Sequence, residues 1–195
     1  VSAPKLSVQV IVRDKLGKVQ YDNIHDVEKE NQLRLNVSDY LINTENCKIS
    51  GLQFGSVEVL RTFSESGIRG TTRPQLEIVS FGGNGMVHMQ SDSLNKSGGF
   101  SYIFRPDEDN LYITVINTDS VEILFLVECY QIDFDITIKD SIRIKPYETK
   151  LYLISSEKLV SNNWVNIKWI TNGKRSIYVL CASNKNNSFS LDHAN

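Results

Sequence analysis

The sequence predicts an all-β protein, and two observations carry that prediction. The 195 residues include 19 Ile and 17 Val but only 3 Ala, a composition that favours pleated sheets over helices. Apolar segments with period-two alternation also recur between turn residues about every ten positions, which is typical of a β-sandwich or barrel. The expected architecture is a single β-sandwich of the jelly-roll type, with one or two short helices.

The first element is a strand that starts at Leu6. Val8, Val10 and Val12 share one face of it, as in a half-buried strand. Gly17 stands where a hairpin could turn, although its charged neighbours are equally compatible with a longer loop. The sequence therefore predicts an N-terminal strand or arm at residues 1–14.

Short helices are expected at two places outside the strands. Residues 22–46 are polar and irregular, but Ser38 can act as an N-cap there, and Asp39 suits the first turn of a helix. A second short helix is expected at residues 155–162.

A dense run of apolar segments extends from Lys48 to Ser183 and brings the expected total to about twelve strands. No repeat or linker divides the chain, so one domain is expected over residues 1–195, ending in a polar, extended or mobile tail at residues 184–195. Parity places these residues in the core: Phe134, Ile136, Ile144, Leu153, Ile167 and Val179.

Catalysis is predicted to be absent, and no cofactor or metal is expected. The glycines at positions 82, 83 and 85 lie before an apparent strand, so they fit a hairpin turn better than a phosphate-binding loop. Asp133 and Asp135 would share a strand face about 7 Å apart, where they could contribute to a Ca²⁺ site or form a glycosidase pair, but a solvated face explains them as well.

Membrane insertion and general electrostatic binding are not expected. The longest apolar run, residues 121–127, is far shorter than a membrane span. The formal charge is −2, with 21 Lys+Arg against 23 Asp+Glu, so any contact with nucleic acid would be local. The candidate residues for such a contact are Arg61, Arg69 and Arg73, in a Gly- and Thr-rich segment.

Cysteine and tryptophan side chains fit structural roles better than functional ones. Cys129 and Cys181 lie in apolar runs, where cysteine usually fills space in a core. Trp164 and Trp169 would point to opposite faces of one strand, so at least one of them belongs to the core. This parity argues against a flat aromatic platform for carbohydrate.

The chain resembles, by its organisation, the single jelly-roll coat proteins of picorna-like icosahedral RNA viruses. The resemblance rests on the processed-looking start VSAPKLSVQV, the run of strands from Lys48 to Ser183, and the tail NKNNSFSLDHAN. It implies a structural protein that assembles with other copies or with sister coat proteins, and that contacts viral RNA without sequence specificity. It also implies localisation in the virion, and in the host cytoplasm before assembly.

Under the coat-protein interpretation, the strand around Val8–Val12 and the C-terminal tail would become ordered mainly through neighbouring subunits, because neither is expected to have enough local partners. Two other classes stay open. A phage or bacterial receptor-binding or baseplate domain would share the β-rich composition and the Asn- and Ser-rich loops, and a carbohydrate-binding module would need exposed aromatic side chains.

Overall fold

Antiparallel β-strands dominate the computed structural model. It describes residues 6–27, 32–41, 55–64, 75–80, 83–88, 96–105, 109–154, 158–183 and 188–193. Within these ranges lie β1 (Leu6–Asp14), β2 (Val19–Val27), α1 (Ser38–Leu41), β3 (Gly55–Ser64), β4 (Gln75–Ser80), β5 (Gly83–His88), β6 (Ser97–Ile103), β7 (Asp109–Asn117), β8 (Ile123–Gln131), β9 (Ile136–Ile144), β10 (Thr149–Leu153), β11 (Trp164–Thr171), β12 (Arg175–Ser183) and β13 (Ser188–His193). A 3₁₀ turn at Ile132–Phe134 separates β8 from β9.

The chain divides into two compact units, Val1–Pro74 and Gln75–Asn195, where the sequence predicts one domain. Each unit has its own buried apolar cluster. The predicted boundaries of the arm, the body and the tail are not tested by this division and stay a prediction.

The first unit contains a three-stranded sheet in the order β2-β1-β3. Val8, Val10 and Val12 are buried together with Leu41, which confirms the predicted face of β1. However, β1 pairs with β2 on one side and with β3 on the other. The expectation that this strand lacks local partners is therefore wrong, because β1 is the centre of a sheet.

The turn between β1 and β2 is the hairpin that Gly17 suggests. Gly17 has a φ of 84°, a conformation that glycine adopts without strain, and its N–H donates to the Asp14 carbonyl at 3.0 Å. The Asp14 side chain also accepts the N–H groups of Leu16 and Lys18 at 2.9 and 3.0 Å. One buried carboxylate thus fixes this turn.

Helix α1 begins at Ser38, so Ser38 is its first residue and not its N-cap as predicted. The Ser38 hydroxyl donates to Asn36 Oδ1 at 2.7 Å, and Asn36 Nδ2 donates to Asp39 Oδ1 at 2.8 Å. These side chains stabilise the approach to the helix, which is the only α-helix in the part of the chain that the structure describes.

The second unit is a β-sandwich. Sheet A has the order β10-β7-β12-β13, sheet B has the order β6-β11-β8-β9, and β4 and β5 form a separate two-stranded ribbon. Side chains from both sheets meet in one buried cluster that includes Ile113, Val115 and Ile177 of sheet A and Phe125, Ile167 and Trp169 of sheet B. The all-β class and the sandwich are confirmed, whereas the jelly-roll type stays a prediction.

The predicted core residues have mixed outcomes. Ile144 and Ile167 are buried, and Ile136 packs partly against the core. Phe134 and Leu153 were wrongly predicted, since they are 42% and 52% exposed. The side chain of Val179 lies outside the described residues.

Phe134 is exposed because the backbone does not continue as a strand there. The 3₁₀ turn ends at Asp135, whose φ of 51° lies in the left-handed region. This turn reverses the chain into the β8–β9 hairpin, so Asp133 and Asp135 do not share a strand face, contrary to the sequence prediction. Apolar and polar residues keep alternating through this turn, so the sequence pattern does not show that the strand has ended.

Two predictions near the C-terminus are also corrected. Residues 158–163 form turns, so the described part of the expected helix at 155–162 is not helical. There the side-chain amide of Gln131 accepts the Val160 N–H at 2.7 Å and donates to the Val160 carbonyl at 2.9 Å.

In the predicted tail, β13 pairs with β12 as an edge strand, so the polar composition of this segment did not prevent strand pairing.

Candidate interaction face

The outward surface of sheet B is the candidate functional site. We call it the outer face and define it by the outward side chains of four strands: Ser97, Gly99, Ser101 and Ile103; Leu126, Glu128 and Tyr130; Thr137, Lys139 and Ser141; Trp164, Asn166, Lys168 and Ile170. Strand register places these side chains in rows across the sheet. A shallow groove of about 720 Å³ runs over this face.

The central row of the outer face carries alternating charge. Gly99 lies opposite Lys168, Lys168 opposite Glu128, and Glu128 opposite Lys139. Lys139 Nζ is 3.4 Å from Glu128 Oε1, and Lys168 Nζ lies 4.9 Å from the centre of the Tyr130 ring. From β6 to β9, the row therefore has no side chain at Gly99, followed by a positive, a negative and a positive charge.

The gap in this row is required by the backbone. A Cβ atom at Gly99 would lie 2.4 Å from the carbonyl oxygen of Ile167, which is much closer than any real contact of this kind. Glycine at this position therefore allows β6 to approach β11. As a consequence, the groove has no side-chain wall beside Lys168.

The rows on either side combine apolar and uncharged polar groups. Ile170 is 55% exposed and pairs with Leu126, while Trp164 is 60% exposed and pairs with Ile103. Between them, the Ser101 hydroxyl donates to Asn166 Oδ1 at 2.7 Å. Neighbouring large apolar side chains that are exposed to solvent are a feature of surfaces that bind another macromolecule.

The inner face of sheet B is buried and apolar, and burial changes the acidity of the side chains that lie in it or pack against it. Burial raises the pKa of the Cys129 thiol from 9.0 to about 12, with further contributions from Asp140 and Glu128. Burial likewise raises the pKa of Tyr152 to about 12, and Asp140, which hydrogen-bonds to it, adds to the shift. A thiol with such a high pKa is a poor nucleophile at neutral pH.

The structure separates the candidate residues that the sequence singled out. Arg69 and Arg73 lie outside the described residues, and only the backbone of Arg61, in β3, is described. Trp169 is 1% exposed in the core and Trp164 is exposed, as the parity argument predicts. Ser80 of β4 lies opposite Gly83 of β5, and Gly83 and Gly85 both belong to β5. Gly82 lies outside the described residues, so the turn interpretation of these glycines stays a prediction.

The outer face itself was missed from the sequence. Alternation within WVNIKWI and within VEILFLVECYQI shows which side chains share a face of each strand, but it does not show that β11 lies between β6 and β8. The row of Gly99, Lys168, Glu128 and Lys139 exists only after that pairing is known.

Two kinds of feature are absent from the described ranges. No group of three or more His, Cys, Asp or Glu side chains in those ranges is arranged to hold a metal ion. The helical residues among them also include no stretch long and apolar enough to cross a membrane.

Comparison with known proteins yields only a distant structural likeness. No family model matches the chain, and no curated protein matches it. A crystal structure described as Thermotoga maritima 1070 is similar with a TM-score of 0.45 and 7% sequence identity, over 51% of this chain and 92% of that one. A likeness at this level carries no argument about function.

Proposed function

We propose that this chain is a non-catalytic structural protein that assembles with further copies, as a coat protein of a small icosahedral RNA virus does. The observation that carries the proposal is the self-complementary pattern of the outer face, in which alternating charges lie beside exposed apolar side chains. Interfaces between subunits combine these two features. Any contact with RNA would be separate and diffuse.

The register of sheet B supports a two-fold contact between outer faces. Strands in a sheet lie about 4.8 Å apart. A two-fold axis that runs parallel to the strands, midway between β11 and β8, would therefore place Lys168 of one copy opposite Glu128 of the second copy. The same rotation would place Lys139 of one copy opposite Gly99 of the second copy. The reason is that β9 and β6, which carry these residues, lie at equal distances from the axis on its two sides. No like charges would face each other along this row.

The flanking row fits the same two-fold contact. Leu126 and Ile170 pair across β8 and β11, so each would meet the other residue type in the second copy. The contact would then bury two exposed apolar side chains from each copy. The near-zero net charge of −2 imposes little long-range repulsion on this association.

A charge-exchange experiment tests the proposal. We expect the wild-type chain to sediment as a dimer or a larger assembly, Glu128→Lys to sediment as a monomer, and the double variant Glu128→Lys with Lys168→Glu to recover the assembly. Ile170→Asp is expected to abolish assembly, whereas the matched control Ile24→Asp, at an exposed position of β2, should not. Circular dichroism would verify that each variant is folded.

Electron microscopy of the wild-type assembly distinguishes the function classes. Closed shells or pentamers support a coat protein. Trimers would favour a phage fibre or baseplate part, and would contradict the proposal. A monomer that binds oligosaccharides through Trp164 would also contradict it and would identify a carbohydrate-binding module.

A further inference from the structure

Arg175, the first residue of β12, is an arginine with no solvent exposure inside the sandwich. Its guanidinium carbon lies 4.0 Å from the centre of the Trp169 ring, so the cation packs against an aromatic face. Among the described residues, none of its three side-chain nitrogens has a hydrogen-bond partner. A buried cation without such partners is energetically expensive.

Neighbouring polar groups do not compensate for this burial. Asn117 pairs with Arg175 across β7 and β12, but its Nδ2 donates to the carbonyls of Val121, Ile144 and Lys145, and its Oδ1 accepts the Asp119 N–H. The buried Glu148 carboxylate accepts the Lys145 N–H and pairs with Lys150 at 2.9 Å. Burial lowers the pKa of Arg175, and no carboxylate of the described residues opposes that shift.

Further unsatisfied polar atoms lie at this end of the sandwich. The hydroxyls of Thr118 and Thr171 and the indole N–H of Trp169 are buried, and they lack hydrogen-bond partners within the described ranges. Thr118 adjoins Arg175, since its N–H donates to the Lys174 carbonyl, and Thr171 follows Trp169 by two positions on the inner face of β11. Such groups are usually paired in a folded protein, so their concentration indicates a place for a ligand.

We infer that the end of the sandwich around Arg175 is a binding site for a carboxylate group. The Trp169 ring contacts the guanidinium carbon, and the three unpaired side-chain nitrogens are the donors that would bind a planar carboxylate through two parallel hydrogen bonds. Thr118 and Thr171 supply additional hydroxyl donors at the same end. This site lies between the sheets and does not depend on the proposed assembly through the outer face.

The turn Asn172–Lys174 is the route by which the carboxylate would enter. This turn leads directly into Arg175, and Asn172 Oδ1 holds it to β8 by accepting the Leu124 N–H at 2.8 Å. Gly173 packs closely on Ile123, with a Cβ position only 2.2 Å from Ile123 Cγ2. Because Arg175 has no solvent exposure, a carboxylate would reach its guanidinium only after part of the chain at this end had moved.

Fluorescence of Trp169 provides a direct test. The chain has 2 tryptophans, so Trp164→Phe leaves Trp169 as the single reporter. We expect acetate to change its emission saturably, and chloride at equal ionic strength to leave it unchanged. Acetate at ten times its Kd should raise the Tm by about 3–5 °C. Equal responses to acetate and chloride would overturn the inference.

Variants separate a ligand site from a structural arginine. Arg175→Met should abolish the response to acetate while keeping or raising the Tm without ligand, because it removes an unpaired buried charge. A lower Tm combined with an unchanged acetate response would show that the arginine is only structural. Thr171→Val is expected to fold and to weaken acetate binding several-fold, so the test does not depend on one variant.

The source of the carboxylate is tested with a second probe. N-acetyl-glutamate amide carries the same group on a peptide-like frame. A response to acetate alone would support a free small carboxylate, and a response to both would support an acidic side chain as well. Absence of both responses would overturn the inference. Ile170→Asp should retain the acetate response, which separates this site from the proposed assembly.

Discussion

The two faces of β11 place the same residue type, tryptophan, in opposite environments. On the inner face, Trp169 is 1% exposed and packs with Phe125 at a ring-centre distance of 6.4 Å. On the outer face, Trp164 is 60% exposed. The same residue type is therefore packed in the core at one position and exposed to solvent at the other, and only the parity of the position separates them.

The charges on the two faces differ in the same way. Lys139 and Lys168 on the outer face interact with Glu128 and Tyr130, respectively, and all of these side chains have contact with solvent. Arg175, which packs against the inner face, has an aromatic ring but no hydrogen-bond acceptor among the described residues. Surface charges cost little even when they are poorly paired, whereas a buried one needs a specific reason to be kept.

Substitution of the two tryptophans should give the largest contrast between the faces. Trp169→Ala leaves a cavity in the core, so we expect it to lower the free energy of unfolding by about 3–5 kcal/mol. Trp164→Ala should change it by about 0.5 kcal/mol or less, because that ring is mostly in water. Urea denaturation followed by circular dichroism measures both values, and similar losses for the two variants would contradict the assignment of faces.

Gly99→Ala tests whether an outward position can nevertheless be intolerant. The added methyl group would collide with the Ile167 carbonyl, so β6 must move away from β11. We expect a loss of about 1–3 kcal/mol in the free energy of unfolding. Ser97→Ala, at an exposed position of the same strand, is the control and should be nearly neutral.

Alkaline pH should expose the effect of burial on Cys129. Its pKa is about 12 in the folded protein and 9.0 when unperturbed, so the unfolded state releases its proton first. The stabilisation is complete below pH 9, and it is lost as the pH rises from about 9 to 12, with a slope of about 1.4 kcal/mol per pH unit. Unfolding free energies measured between pH 8 and pH 10 should show this decrease, and Cys129→Ala should lack it.

The smallest effect is expected for the outer ion pair. Lys139→Gln should lower the free energy of unfolding by about 0.5 kcal/mol or less, because both partners are solvent-exposed. Added salt should reduce even this difference. A loss as large as that of Gly99→Ala would mean that the pair contributes to folding more than its exposure implies.

Local patterns predicted the faces of strands but not their neighbours. Alternation at Val8, Val10 and Val12, and at Trp164 and Trp169, assigned buried and exposed sides correctly. The pairing of β6 with β11 joins residues that are widely separated in the sequence, and no local signal encodes it. The exposed Phe134 was misassigned because a left-handed Asp135 ends the preceding turn without changing the pattern of residue types.

Edge strands were also hidden by their composition. Residues 188–193 are largely polar, yet β13 forms because β12 offers free backbone groups along one side. In the first unit, β1 forms the centre of its sheet only because β3 returns to it from beyond residue 54. Both strand pairings depend on a partner strand, which the residue pattern of one segment alone does not identify.

The place of β11 in sheet B has a consequence for how the protein folds. β8 and β9 are joined by a single short turn and can form a hairpin early, whereas β6 must wait for β11, which follows it by more than 60 residues. Until β11 inserts, β6 and β8 each present an unpaired backbone edge. Loop closure over such distances is slow compared with hairpin formation, so insertion of β11, together with the similarly distant pairing of β7 with β12, should set the rate at which the sandwich closes.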